Sequence, residues 1–166
     1  MNTKRGVNIE AGAIVCHDTN VSGDVTIGEG TIVHPHTSII AEVGPIIIGT
    51  RNIVEENVVI INKNTKPLII GDENVFEVGS YIESSRIGNR NIFEAKSRVL
   101  GTTIVGDNCV VGSACCTEIS ETIPDNTVIY GARCNRRIQK ENTTNALHLK
   151  HLDYLREILP KFNHLR

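Results

Sequence analysis

A six-residue period runs through most of the chain and constrains the fold more than any other feature of the sequence. From Ile9 onward an aliphatic residue recurs every sixth position, at Ile9, Val15, Val21, Ile27, Val33 and Ile39. A small residue or a second aliphatic residue stands four positions after each of the first five of these, at Ala13, Thr19, Val25, Thr31 and Thr37. Residues two apart in a strand face the same side, so these two positions point inward together and the remaining residues form the turn.

The phase of the period returns after each interruption and continues as far as Ile129. An Ile-Gly or Val-Gly pair opens successive coils at positions 27, 48, 70, 87 and 105. This spacing predicts 18 residues per coil, with short insertions such as the polar segment 62–66. Three hexads per coil make a triangular prism of parallel strands that rises roughly 4.8 Å per coil. A single coil cannot bury its own interior, so each coil depends on its neighbours for stability.

Two sets of inward side chains are predicted to stack along the axis of the prism. Asn52, Asn74 and Asn91 share one inward position on successive coils, where their amides can hydrogen-bond to one another. Phe76 and Phe93 share a second inward position. We assign these stacks a structural role and no chemistry.

Composition excludes several classes of protein. The 166 residues carry a net charge of −2 with scattered basic residues, which argues against binding to nucleic acid or to an anionic membrane. No apolar run approaches the length of a membrane span, and the N-terminus lacks the apolar region of a signal peptide. The five cysteines show no CxxC spacing, and Cys109 and Cys115 take inward positions. We therefore predict buried thiols in a reducing cytosol rather than disulfides or a metal site.

The repeat predicts a β-helix over residues 1–138, followed by a polar linker at 139–146 and an amphipathic helix at 147–166. The helix is indicated by apolar residues at three- and four-residue spacing, namely Leu149, Leu152, Leu155, Ile158, Leu159 and Phe162. We expect this helix to pack along one face of the prism. The alternative is that it docks on a partner.

Five segments together resemble the family of dynactin subunit 6, within the superfamily of hexapeptide-repeat proteins. They are SGDVTIGEGTIVHPHTSIIAEVGPIIIG, NIVEENVVIIN, NVFEVGSYIES, IPDNTVIYGARCNRRIQ and LDYLREILPKFNHL. The resemblance implies an all-β solenoid, specifically a left-handed parallel β-helix of hexapeptide repeats with a C-terminal α-helix. Parallel crossover connections in general prefer the right hand, so the left hand follows from the resemblance alone.

The resemblance also implies a non-catalytic subunit of the pointed-end complex of dynactin, the activating partner of the dynein motor. Such a subunit supports dynein-driven, microtubule-based transport and the attachment of cargo and adaptors through protein–protein contacts. The implied partners are dynactin subunit 5, which is another β-helix, and other pointed-end subunits including the pointed-end actin-related protein, with dynein reached indirectly. We therefore expect a hetero-oligomer without a cofactor. The expected location is the cytoplasm and cytoskeleton, including the centrosome or kinetochore.

The competing interpretation is a hexapeptide-repeat enzyme, either like a γ-carbonic anhydrase or like an acyltransferase. By resemblance to the anhydrases, whose zinc is held by three histidines at subunit interfaces, the ligand positions fall on Ile61, Val78 and Glu83. Two aliphatic residues and one carboxylate cannot form a three-histidine zinc site, so we predict no metal. The acyltransferases need a histidine base beside an acyl-CoA cleft, and no histidine occurs between His36 and His148.

His34 and His36, in the stretch TIVHPHTSI, are the histidines that most invite a chemical role. The coil phase stacks His34 on Glu55, Glu77 and Glu94, which is not the corner of Ile61 and Glu83. We therefore predict two solvated surface histidines and no catalytic residue.

Two surfaces remain as candidates for partner binding. The acidic corner, defined as Glu55, Glu77 and Glu94, places a carboxylate at the same turn of three successive coils, where like charges raise the pKa of at least one. The ordinary interpretation is that these side chains extend into water, and the sharper one is that they meet Arg or Lys on a neighbouring subunit. The second surface is the prism end beyond Ile129, with basic residues Arg133, Arg136 and Arg137.

Overall fold

The computed structural model describes residues 6–140 and 146–166. Within these residues the repeats form a parallel β-solenoid of seven coils, followed by one helix, α1 (Ala146–Phe162). The predicted fold class, a parallel β-helix of hexapeptide repeats with a C-terminal helix, is confirmed. None of the helical residues described forms a segment long and apolar enough to cross a membrane.

Three sheets form the faces of the prism. The first face has the strands β1 (Val7–Ile9), β4 (Val25–Ile27), β7 (Ile46–Ile48), β10 (Leu68–Ile70), β13 (Arg86–Ile87), β16 (Ile104–Val105) and β18 (Thr122–Ile123). The second has β2 (Ile14–Val15), β5 (Ile32–Val33), β8 (Ile53–Val54), β11 (Val75–Phe76), β14 (Ile92–Phe93), β17 (Val110–Val111), β19 (Thr127–Tyr130) and β20 (Asn135–Ile138). The third has β3 (Asn20–Ser22), β6 (Ser38–Ala41), β9 (Val59–Asn62), β12 (Tyr81–Glu83) and β15 (Arg98–Val99).

The aliphatic residues of the hexads form one continuous core along the axis. In the first face Ile27 pairs with Ile48 and Ile48 with Ile70, and all three side chains are buried. The rings of Phe76 and Phe93 stack with centroids 4.9 Å apart and planes 4° from parallel, as the period predicts. Burial of these side chains between coils is the main source of stability in such a stack.

The predicted asparagine ladder is also present. The Asn74 Nδ2 donates to Asn52 Oδ1 at 3.1 Å and to the Gly88 carbonyl at 2.9 Å. The Asn74 Oδ1 in turn accepts the backbone N–H of Asn91 at 2.9 Å. Each amide therefore joins adjacent coils through groups that would otherwise be buried without a partner.

Helix α1 packs against the outer side of the second face, over its first coils. Leu152, Leu155 and Leu159 are buried there against Ile32 and Ile53. The helix begins one residue earlier and ends four residues earlier than the predicted 147–166. Within the predicted linker 139–146, residues 141–145 lie outside the described residues.

The apolar stripe of the helix is wider than its contact with the prism. Leu149 and Phe162 belong to the predicted stripe but remain exposed, Phe162 by 78% of its surface. The apolar contact consists of three helix leucines against Cys16, Ile32 and Ile53, with Ile14 and Val75 at its margin.

An antiparallel segment pairs with the first and with the last parallel strand of the second face. At the C-terminal end β20 pairs with β19. At the N-terminal end the last residues of the chain pair with β2, through a Cys16–Leu165 bridge and an Arg166 N–H bond to the Val15 carbonyl of 2.8 Å. The second pairing explains why the helix stops at Phe162, since the edge of β2 offers backbone partners to the residues that follow.

Candidate functional site

The acidic corner lies at the turns between the second and third faces. The backbone N–H of His34 donates to the Val54 carbonyl, and that of Glu55 to the Phe76 carbonyl, each at 2.9 Å. Glu77 and Glu94 continue this column on the next two coils. The structure thus brings together His34 and the three carboxylates of the acidic corner, as the coil phase indicates.

The carboxylates do more than extend into water. The Glu55 Oε2 accepts the backbone N–H of Val78 at 3.1 Å, and the Glu77 Oε2 accepts that of Ala95 at 3.0 Å. Each acceptor therefore ties one turn to the same turn of the next coil. Each of these partly exposed carboxylates has a backbone partner that the sequence did not reveal.

Burial raises the pKa of Glu55 above its usual range, and the neighbouring carboxylates of Glu77 and Glu56 add to this effect. The Val78 N–H and His151 oppose it, since both stabilise the ionised carboxylate. The raised pKa predicted for a stacked carboxylate is present, but desolvation is its leading cause.

His34 is not a solvated histidine, and that prediction is wrong. Helix α1 lies over its coil, and the His34 Nε2 is buried without a hydrogen-bond partner among the described residues. Burial lowers the pKa of His34, while nearby Glu56 opposes this shift and His151 adds to it. His36 is exposed as predicted, with its Nδ1 3.2 Å from an Asp18 carboxylate oxygen. The cover of His34 comes from a helix more than a hundred positions later in the chain, which the period alone does not place.

Two of the three anhydrase ligand positions, Ile61 and Glu83, lie at a different corner, whereas Val78 follows Glu77 in a turn of the acidic corner. Ile61 and Glu83 pair in register on adjacent coils, and Val78 lies exposed in a turn. The Glu83 carboxylate accepts a hydrogen bond from the Tyr81 hydroxyl at 2.8 Å. Burial, and next this bond to Glu83, raise the pKa of Tyr81 to about 12. Within residues 6–140 and 146–166, no three His, Cys, Asp or Glu side chains are placed to hold a metal ion.

The recess that contains histidines is small. It lies where the C-terminal residues meet the first coils, is lined by His17, Phe162 and His164 among others, and has a volume of about 160 Å³. Small-molecule sites usually enclose about 300–1,000 Å³. This recess therefore offers a poor acyl-CoA cleft. Burial raises the pKa values of the Cys109 and Cys115 thiols, which makes both weak nucleophiles.

The arginines at the C-terminal end have different environments. Arg136 donates to both oxygens of the Glu121 carboxylate, with an Nη2–Oε2 distance of 2.7 Å. This bond holds the pKa of Glu121 below its usual range. Arg137 lies over the ring of Tyr130, 6.0 Å from its centroid, and Arg133 is exposed in the preceding turn. Arg136 therefore has an intramolecular partner, and Arg133 and Arg137 have no carboxylate partner among the described residues.

Comparison with known proteins gives full-length matches. The chain is 46% identical to a Nematostella vectensis protein named Dynactin subunit 6, over 99% of this chain and 94% of that one. It is 45% identical to the Danio rerio protein of the same name, over 98% of this chain and 89% of that one. No protein-family model matches the chain.

Among solved structures, the chain is similar to a hexapeptide transferase family protein from Anaplasma phagocytophilum. The TM-score is 0.74 with 15% identity, over 91% of this chain and 87% of that one. At this level of identity the likeness concerns the fold alone.

Proposed function

The chain belongs to the dynactin subunit 6 family, and from that premise we propose that it is a non-catalytic structural subunit of the dynactin pointed-end complex. In this role it supports dynein-driven, microtubule-based transport and the attachment of cargo and adaptors through protein–protein contacts. The observation that carries the proposal is the 46% identity to a relative over 99% of the chain, a span that includes the helix as well as the repeats.

The physical character of the molecule supports a scaffold role. The buried amides of Asn52, Asn74 and Asn91 join one coil to the next. Stacked coils held in this way form a stiff prism whose three faces present side chains at regular spacing. Such a body suits the positioning of other subunits.

The proposed partners are dynactin subunit 5 and other pointed-end subunits, including the pointed-end actin-related protein, with dynein reached indirectly. The proposed location is the cytoplasm and cytoskeleton, extending to the centrosome or kinetochore. A hetero-oligomer is expected, and no cofactor is proposed.

The acidic corner is proposed as one contact with a basic surface of a neighbouring subunit. Glu55 and Glu77 use one carboxylate oxygen on a backbone N–H, which leaves charge on the corner for a second interaction. Gln substitutions keep an acceptor oxygen and remove the charge, so they test the charge more cleanly than Lys. The triple variant with Glu55, Glu77 and Glu94 changed to Gln should assemble more slowly than wild type, most clearly at low salt.

The matched control for this test is Glu29→Gln, which removes one exposed carboxylate from another corner of the prism. Equal assembly rates for the triple variant and wild type at physiological salt would reject the contact.

The alternative function is that of a hexapeptide-repeat enzyme, related to the γ-carbonic anhydrases or the acyltransferases. To separate the two, we would run a native lysate containing the tagged chain over a size-exclusion column and identify the co-purifying proteins by mass spectrometry. Co-migration with actin-related and dynactin subunits in a very large particle is the expected result. A peak of homotrimer size without these partners, together with bound zinc or acyl-CoA binding, would overturn the proposal.

A further inference from the structure

The open edge of β20 lies at the C-terminal end of the prism, and the proposed scaffold role does not explain it. β20 is the terminal strand of the second face, and among residues 6–140 and 146–166 its one strand partner is β19. The N–H of Gln139 donates to the Asn126 carbonyl at 2.8 Å, which fixes the phase of the antiparallel ladder. Because bonded pairs alternate along such a ladder, the N–H and C=O of Arg136 and Ile138 point away from β19.

The side chains along this edge define two different sides. Arg137 opposes Val128 and lies over Tyr130, so it belongs to the outer side of the second face. Ile138 opposes Thr127 on the other side and is exposed by 60%. It borders a shallow recess lined by Pro124, Thr127, Arg136, Arg137 and Ile138. The edge thus offers backbone bonds, an unpaired cation on one side and an apolar contact on the other.

The charge of the hairpin formed by β19 and β20 determines what kind of strand can pair with the edge of β20. Residues 127–140 contain four basic residues and no acidic one, and Glu121 neutralises only Arg136. A second copy of β20 added to this edge would bring arginines of the two strands together, and like charges on opposed strands destabilise pairing. Charges at an open edge also protect it against such self-association.

We propose that the β20 edge binds an extended acidic segment of a partner protein, which adds one strand to the second face. The segment alternates an acidic residue facing Arg137 with an aliphatic residue facing Ile138. Main-chain bonds supply affinity in this mode, and the alternate side chains supply specificity. The inference rests on one part of the proposed function, namely that the chain is a subunit of a larger assembly.

The test separates the backbone of the edge from its charge. Ile138→Pro removes one outward N–H without breaking a bond to β19, and proline is tolerated on edge strands. Ile138→Val keeps the N–H and most of the apolar contact, so it is the matched control. Arg137→Glu reverses the unpaired cation on the strand, and its matched control is Arg98→Glu on the third face, where Arg98 likewise lies over a tyrosine ring, 5.3 Å from the centroid of Tyr81.

The variants are expressed as tagged full-length chains, and the assembled particle is purified from cells. A photo-crosslinking residue at position 138 identifies the bound segment, and hydrogen exchange is compared between the free chain and the particle. We expect crosslinks to an acidic extended segment of another subunit, and slow exchange at Arg136 and Ile138 in the particle only. Recovery of that subunit should fall about fivefold or more with Ile138→Pro and with Arg137→Glu, but not with either control.

Three results would overturn the inference. The first is equal recovery of the crosslinked subunit with all four variants. The second is equally fast exchange of the Arg136 and Ile138 amides in the free chain and in the particle. The third is crosslinking to a second copy of this chain. Failure of the wild-type chain to enter a dynactin particle would instead overturn the proposed function, and the crosslink and exchange data would still report on the edge in whatever assembly the chain forms.

Discussion

Replacing Asn74 with alanine should destabilise the prism far more than removing a similar amide from its surface. The change removes the acceptor of the Asn91 N–H and the donor to the Gly88 carbonyl, both at 2.9 Å. Asn52 Oδ1 retains a partner, because the Asn74 backbone N–H still donates to it at 2.9 Å. Two backbone groups therefore lose their bonds, and each buried group left unsatisfied costs about 1–3 kcal/mol.

Water can reach the half-buried Gly88 carbonyl more easily than the buried Asn91 N–H, so we expect a loss of about 2–4 kcal/mol in the free energy of unfolding. For a chain of this length that corresponds to a fall in Tm of roughly 5–15 °C. The measurement is urea unfolding of the purified chain, followed by circular dichroism and by a second probe. Coincident transitions are needed before the free energies are compared.

Asn89→Ala is the matched control for this prediction. Asn89 Oδ1 also accepts a backbone N–H from an adjacent coil, that of Asp72 at 2.8 Å, but its side chain is only half-buried. Water can replace that acceptor, so the expected loss is below about 1 kcal/mol. The reasoning is refuted if the two substitutions cost the same, or if Asn74→Ala costs less than about 1 kcal/mol.

Three further predictions concern the helix and the two titrating sites. Leu155→Ala should cost about 2–5 kcal/mol and speed hydrogen exchange in α1, whereas exposed Tyr154→Ala should change neither. Because burial lowers the pKa of His34, the folded chain binds fewer protons there, so stability should fall as pH drops below 6.5. His34→Gln should reduce that fall between about pH 7.5 and 5.5 in thermal unfolding, and an equal fall would contradict the assignment. The lowered pKa of Glu121 means that its bond to Arg136 stabilises the chain above pH 4.5 and less as pH falls further. Arg136→Ala should therefore cost less than about 1 kcal/mol at neutral pH and progressively less as the pH falls below 4.5, as measured by unfolding at each pH.

Sequence and structure agree closely at two of the anhydrase ligand positions. The coil phase placed Ile61 and Glu83 at one corner, and the two residues do pair in register on adjacent coils. The same phase stacked His34 on the acidic corner. These placements are correct because each depends only on the length of the intervening coils, which the period reveals.

The environment of the same residues was not predictable in this way. His34 is covered by α1, and Glu55 is held by the Val78 N–H and approached by His151. Arg136 was predicted to bind a partner, yet it is bonded to Glu121 within the chain. Exposure, pKa and intramolecular bonding depend on how distant segments meet, and the repeat carries no information about those contacts.

The sequence by itself determined the prism. Each hexad specifies a short strand with alternating inward and outward residues and the turn that follows it, and repeated hexads build coils that share one core. It also determined that Asn74 and Phe76 would each stack on their counterparts one coil away. Only the tertiary structure decided which face α1 covers, that the chain end pairs with β2, and that β20 leaves an open edge. Those outcomes follow from competition among all exposed faces and edges for the same non-repetitive segments. The free energies that decide this competition come from contacts between residues far apart in the chain.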